Sequence, residues 1–163
     1  MQPTPYAGPM TPTDFSAMNC SVARTLEAIG DRWSLLILRD AFYGLRRFED
    51  FREDLGVARN ILAERLQKLV AHGVFERRQY GDKPPRFEYR LTEKGRDLLP
   101  VLLTMMRWGD RWANDSDFPP AKLTHTVCGC ETEAVAACSH CGGELKSREL
   151  TVHPIGVKLP AAR

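Results

Sequence analysis

The sequence predicts a mainly α fold of the α+β class: helices first, then a two-stranded hairpin, then more helix, then a small cysteine-rich extension. Three observations carry this. Apolar residues recur at helical spacing from about residue 20 to 72. The period changes to two between 74 and 91, around the turn Gly81-Asp82-Lys83-Pro84-Pro85. Four of the five cysteines crowd into residues 128–141.

The elements follow in order. Residues 1–19 hold Pro3, Pro5, Pro9 and Pro12, which fix φ and remove backbone donors, so this is an arm without regular structure. Val22, Leu26 and Ile29 mark one face of a short helix beginning near Cys20 and ended by Gly30. Asp31 caps a second helix carrying Trp33, Leu36, Ile37 and Leu38. A third short helix, 47–55, turns Phe48, Phe51 and Leu55 inward and breaks at Gly56. A fourth runs from about 57 to 72, with Val57, Ile61, Leu62, Leu66, Leu69 and Val70 on its apolar face. Asn60, Ala63, Glu64 and Gln67 lie opposite, with Arg59 on the flank.

Residues 74–80 and 86–91 read as strands. Thr92 caps another helix, and Pro100 should kink it or start a new one. Leu98, Leu102, Met105, Trp108 and Trp112 belong to a segment that is apolar around most of its circumference, which suits burial against a second subunit. Phe118-Pro119-Pro120 marks a boundary, giving an arm (1–19), a central domain (20–117) and a cysteine-rich extension (118–163).

The 163 residues are 43% hydrophobic and 27% charged, ordinary for a soluble globular chain. No apolar run approaches the ~18 residues of a membrane span, and no signal segment is visible, so the expected compartment is the cytoplasm. Net charge is only +2, but residues 39–96 carry 14 Lys and Arg against 10 Asp and Glu. A basic middle suits a polyanionic partner.

The order helix, helix, short helix, longer helix, strand, turn, strand, helix outlines a winged helix-turn-helix with a two-stranded wing and helical dimerisation elements. In that outline Arg59, Asn60, Glu64 and Gln67 are placed to read base edges in the major groove of double-stranded DNA. Lys83 and Arg86 at the hairpin tip, with Arg77 and Arg78 nearby, would reach phosphate or the minor groove. The competing reading is an amphipathic helix with a solvated face beside an incidental hairpin.

Residues 20–113 resemble the HxlR family of winged-helix transcription regulators, relatives of the MarR group. The likeness rests on Cys20-Ser21-Val22, on Gly30-Asp31-Arg32-Trp33, on Arg47-Phe48-Glu49-Asp50-Phe51, and on Leu62-Ala63-Glu64-Arg65-Leu66. It continues through Pro84-Pro85-Arg86-Phe87-Glu88-Tyr89-Arg90-Leu91-Thr92-Glu93-Lys94-Gly95. The resemblance implies a homodimer on a palindromic operator, with repression as the default sign and any small-molecule inducer unidentified. Two departures stand out: Ala58 replaces the usual hydroxyl residue near the start of the recognition helix, and Ser21 follows Cys20 where proline is common.

Cys20 is a candidate redox or electrophile sensor, because a helix start stabilises a thiolate and the family's counterpart is often a sensor. It could equally be a small core residue. In the tail, Cys138-Ser139-His140-Cys141-Gly142 forms a C-x-x-C-G knuckle. With His125 and Cys128 it would complete a four-ligand structural zinc site of zinc-ribbon type, with Cys130 as a rival ligand. The alternative is a metal-free tail with an internal Cys138–Cys141 disulfide.

Two other function classes compete: a protein-interaction module built on the tail, and a thiol oxidoreductase. The second needs its C-x-x-C at a strand-to-helix junction, and no such setting is visible. No phosphate-cradling glycine loop and no nucleophile–base pair appear either, so the expectation is not an enzyme.

Overall fold

The computed structural model describes residues 18–115, 118–153 and 155. The expected N-terminal arm lies outside them except for its last two residues. The chain forms two compact units, dividing between Gly95 and Arg96. The long helix falls in the second unit.

The first unit contains α1 (Ser21–Ile29), α2 (Arg32–Phe42), α3 (Phe48–Leu55), α4 (Arg59–Ala71), β1 (Phe75–Asp82) and β2 (Pro85–Leu91). Every one of these elements except β2 supplies its core. Ala23, Ile29, Ile37, Leu38, Phe51, Leu62, Leu66, Leu69 and Phe75 are buried, as are Val57 and Val74 in the residues leading into α4 and β1. Phe51 and Phe75 meet edge to face, with centroids 6.4 Å apart. Burying each large side chain contributes roughly 1.5–3 kcal/mol, so this cluster fixes how α3 and α4 cross.

Asp31 caps α2 as expected, accepting from the N–H groups of Trp33 (3.1 Å) and Ser34 (3.0 Å). Asp40 in the same helix is buried, and burial raises its pKa against the pull of Arg39, whose guanidinium lies 2.6 Å away. The apolar face expected of α1 is covered only in part. Ile29 is buried, but Val22 and Leu26 are exposed, and Ala23 takes the inward position.

The helix expected from about 57 begins at Arg59, because Ala58 is extended (φ −61°, ψ 140°). Val57 is nevertheless buried, anchoring the turn before it. β1 and β2 pair antiparallel from Phe75↔Leu91 to Asp82↔Pro85, with an irregularity between Gln79 and Gly81. The wing root is tied to α4 by the segment after β2. Thr92 Oγ1 donates to the Gly73 carbonyl (2.6 Å) and accepts from Gly95 N–H (3.1 Å). Lys94 Nζ donates to the His72 carbonyl (2.7 Å). A Cβ at Gly95 would stand 2.2 Å from the Val74 carbonyl oxygen, so only glycine allows this approach. The Leu-Thr-Glu-Lys-Gly stretch is therefore a clamp between recognition helix and wing. It opens the short α5 (Glu93–Arg96).

In the second unit α6 runs from Leu99 to Trp112, with Pro100 in its first turn, where a missing N–H costs nothing. A small hairpin follows, β3 (Leu123–His125) with β4 (Cys130–Thr132). Arg107 ties the tail to α6 through Glu133 (3.3 Å) and Glu144 (3.0 Å). Among the described residues no helix is long and apolar enough to cross a membrane.

Candidate nucleic-acid interface

Gly56, at φ +59°, makes the left-handed turn between α3 and α4. That turn presents the outer face and N-terminal end of α4 to solvent. Arg59, Asn60, Glu64 and Gln67 are all exposed there. The helix has no side-chain cap at Ala58 and no acidic residue in its first turn, so its leading N–H groups remain available to an anionic backbone.

These side chains are not all idle. Arg59 Nη1 lies 2.6 Å from Glu49 Oε1, and its guanidinium packs over Phe48 at 4.9 Å. Glu49 also holds Arg52 (2.7 Å). Hydrogen bonds from Arg52 and Arg59 hold the Glu49 carboxyl below the usual carboxylate range. Glu64 pairs with Arg65 (2.6 Å), which also reaches Asp31 (3.0 Å).

Between α3, the start of α4 and the wing lies a cleft of about 510 Å³. Four arginines, Arg47, Arg59, Arg77 and Arg86, outnumber the two carboxylates Glu49 and Asp50 in its lining, with Phe48, Tyr80, Phe87 and Tyr89 beside them. Arg77 packs over Phe87 at 3.6 Å and Arg47 over Tyr80 at 5.0 Å. Stacked arginines keep their charge facing outward while their flat faces are fixed, which suits bidentate contact with phosphate or base edges. Arg78 does not line this cleft, as the neighbour of Arg77 in a strand must point the other way. Lys83 is exposed at the hairpin tip.

Arg47 is a site residue that the sequence alone places only at a helix start. The chain before α3 runs beside β2, with an Arg47↔Glu88 bridge and Tyr89 N–H donating to the Arg46 carbonyl (2.7 Å). That extra edge delivers Arg47 to the cleft.

A cationic, aromatic-floored cleft beside an exposed recognition helix is the layout of a winged helix-turn-helix. The HxlR-like helix-turn-helix family matches residues 28–117. The chain belongs to that family. An uncharacterized HTH-type transcriptional regulator of Mycobacterium tuberculosis is 46% identical over 134 residues, 82% of this chain and 85% of its own. The crystal structure of PA1607, a candidate transcription factor, has a TM-score of 0.75 at 39% identity and covers 84% of this chain and 96% of that one. The redox regulator HypR in its reduced form has a TM-score of 0.55 at 34% identity, covering 58% of this chain and 95% of that one.

As an HxlR-type DNA-binding transcriptional regulator, the chain places its other predicted residues as follows. Cys20 is half-buried at the N-cap of α1 with extended backbone (φ −142°, ψ 124°). Arg24 donates to Asn19 Oδ1 (2.8 Å). On α6, Leu98 and Leu102 are half-buried, whereas Met105, Trp108 and Trp112 are exposed, joined by Val101. Val101, Met105, Trp108 and Trp112 are spaced four, three and four apart, one continuous stripe.

All five cysteines are free thiols, so the Cys138–Cys141 disulfide is not formed. The C-x-x-C lies in a hairpin turn, not at the start of a helix. Backbone N–H groups of Cys141 and His140 face the Cys138 sulfur and hold its thiol below the ordinary value. His125 Nδ1 lies 3.3 Å from Cys128 Sγ. Among the described residues no three His, Cys, Asp or Glu side chains stand close enough to share a metal ion.

Proposed function

We propose that this regulator acts in the cytoplasm as a homodimeric repressor that reads a palindromic operator. The observation that carries the reading is the arginine-lined cleft beside the exposed start of α4. Arg59, Asn60, Glu64 and Gln67 enter the major groove, Asn60 and Gln67 facing adenine and Arg59 facing guanine. Arg47, Arg77, Arg86 and Lys83 hold the flanking backbone, with Arg78 on the far side of the wing. The exposed stripe on α6 pairs with its copy in a second subunit, which sets the two recognition helices about 34–36 Å apart, one turn of DNA. A bound dimer over a promoter excludes polymerase.

The groove assignment is tested by two substitutions. Asn60→Ala should cost ~1–3 kcal/mol on the operator and little on scrambled DNA. Lys83→Ala should weaken both about equally. Parallel losses from both variants on both DNAs would overturn the assignment.

The likeness to a redox regulator supports a thiol switch at Cys20. Oxidation there alters the start of α1, whose exposed Val22 and Leu26 lie within two turns. Diamide should release wild-type protein from the operator and leave Cys20→Ser bound. An equal response from both proteins would remove Cys20 from the mechanism.

A further inference from the structure

The tail contains the same turn twice. In the first copy, His125 closes the β3–β4 hairpin opposite Cys130, and Gly129 N–H donates back to the His125 carbonyl (2.8 Å). In the second, Ala137 pairs with Glu144, Cys138 N–H donates to the Gly143 carbonyl (2.8 Å), and Gly142 N–H donates back to the Cys138 carbonyl (2.8 Å). Gly129 and Gly142 both adopt left-handed backbone, φ +71° and +74°. Matched turn to turn, His125 corresponds to Cys138, Cys128 to Cys141, and Gly129 to Gly142. In each turn the returning hydrogen bond, from the fifth residue to the first, curls the first and fourth residues toward one another. In the first, the imidazole and thiol are already 3.3 Å apart.

The match also separates the two rival cysteines. Cys130 corresponds to Gly143, one residue past the turn, and its thiol faces the Cys128 carbonyl (3.6 Å). It lies outside the pair that the turn creates.

A second observation is independent of the turns. Among the described residues from 118 onward none is buried. Two ordered hairpins with no apolar core and no disulfide lack the usual means of holding together. The ties from Arg107 of α6 to Glu133 and Glu144 are surface ion pairs, worth little, and a structural metal is one of the few other devices that hold so small a unit.

We propose that the paired turns bind one zinc ion per chain through His125, Cys128, Cys138 and Cys141, with Cys130 excluded. Three thiolates and one imidazole form a closed tetrahedral set, which makes the ion structural. The metal-free chain holds two separate pairs, and the ion draws them together. Binding displaces the three thiol protons to solvent, so uptake strengthens with pH.

The test uses the full-length chain purified under reducing conditions, with zinc measured by mass spectrometry and the metal replaced by cobalt(II). The expected results are one zinc per chain and a cobalt spectrum with thiolate charge-transfer and tetrahedral d–d bands. His125→Ala, Cys128→Ser, Cys138→Ser and Cys141→Ser should each lose the metal, while Cys130→Ser keeps it. Absence of zinc, zinc retained in any of the first four variants, or zinc lost from Cys130→Ser would overturn the proposal. The cobalt spectrum of the unmutated protein tests the thiolate ligands whether or not the variants fold, and a spectrum without charge-transfer bands would also overturn it.

Discussion

In the proposed interface, Arg59 is held in place before any DNA arrives. Its guanidinium rests on Phe48 and is neutralised by Glu49 at 2.6 Å. On that proposal a phosphate or guanine edge must displace the carboxylate, which would penalise wrong sequences that offer only one weak contact. Glu49→Gln should therefore raise affinity for scrambled DNA about two- to five-fold, the scale of a surface ion pair, and narrow the gap to the operator. Anisotropy titrations of both proteins on both duplexes would show it. Arg52 and Arg59 keep Glu49 ionised below the usual carboxylate range, so the effect should be unchanged between about pH 8 and 5. Unaltered affinity for scrambled DNA would mean that the ion pair does not restrain Arg59.

The same residues show what can be read without coordinates. Arg59 and Arg86 are legible, because helical and hairpin spacing alone place them on exposed faces. Arg77 and Arg78 look like partners, yet strand alternation sends only Arg77 over Phe87 and into the cleft. That distinction is available from the period of two. Arg47 is not legible, because nothing local announces that residues 46–47 will line up beside β2.

At the scale of elements, local chemistry predicts most boundaries. Asp31 caps α2, Gly56 makes the turn, and Pro100 sits in the first turn of α6. Burial is less legible. Periodicity identifies an apolar face but not what covers it, so Val22 and Leu26, expected inside, stand outside. On α6 no residue is buried, and Trp108 and Trp112 are 63% and 66% exposed. Two tryptophans on one stripe are a large apolar area to leave in water, each ring able to bury roughly 150–250 Å². If this stripe forms the proposed dimer, unmutated protein should sediment as a dimer and Trp108→Glu as a monomer, with helix content retained by circular dichroism. A variant that stays dimeric would move the subunit interface elsewhere. The tail hairpins are legible as a motif, while the choice between Cys128 and Cys130 needs the hydrogen bonds of the two turns.

At the scale of the molecule, a small winged unit carries the arginine-lined cleft, and a second unit carries the exposed helix and the cysteine-rich hairpins. The first unit has its own apolar core and its own clamp between α4 and the wing, which hold the two sides of the cleft together. In the proposed dimer, operator choice depends on how two such units are spaced. Every role given to the cleft and to α4 depends on sequence-specific binding of duplex DNA, which fluorescence anisotropy across a salt series measures. The reduced protein would be titrated onto a duplex enriched from a random pool and onto its scrambled counterpart. The expected result is a preference of ~10³-fold or more, a pair of inverted half-sites one helical turn apart, and affinity that falls steeply with salt. No enrichment from the pool, with weak and equal binding to both duplexes, would contradict it.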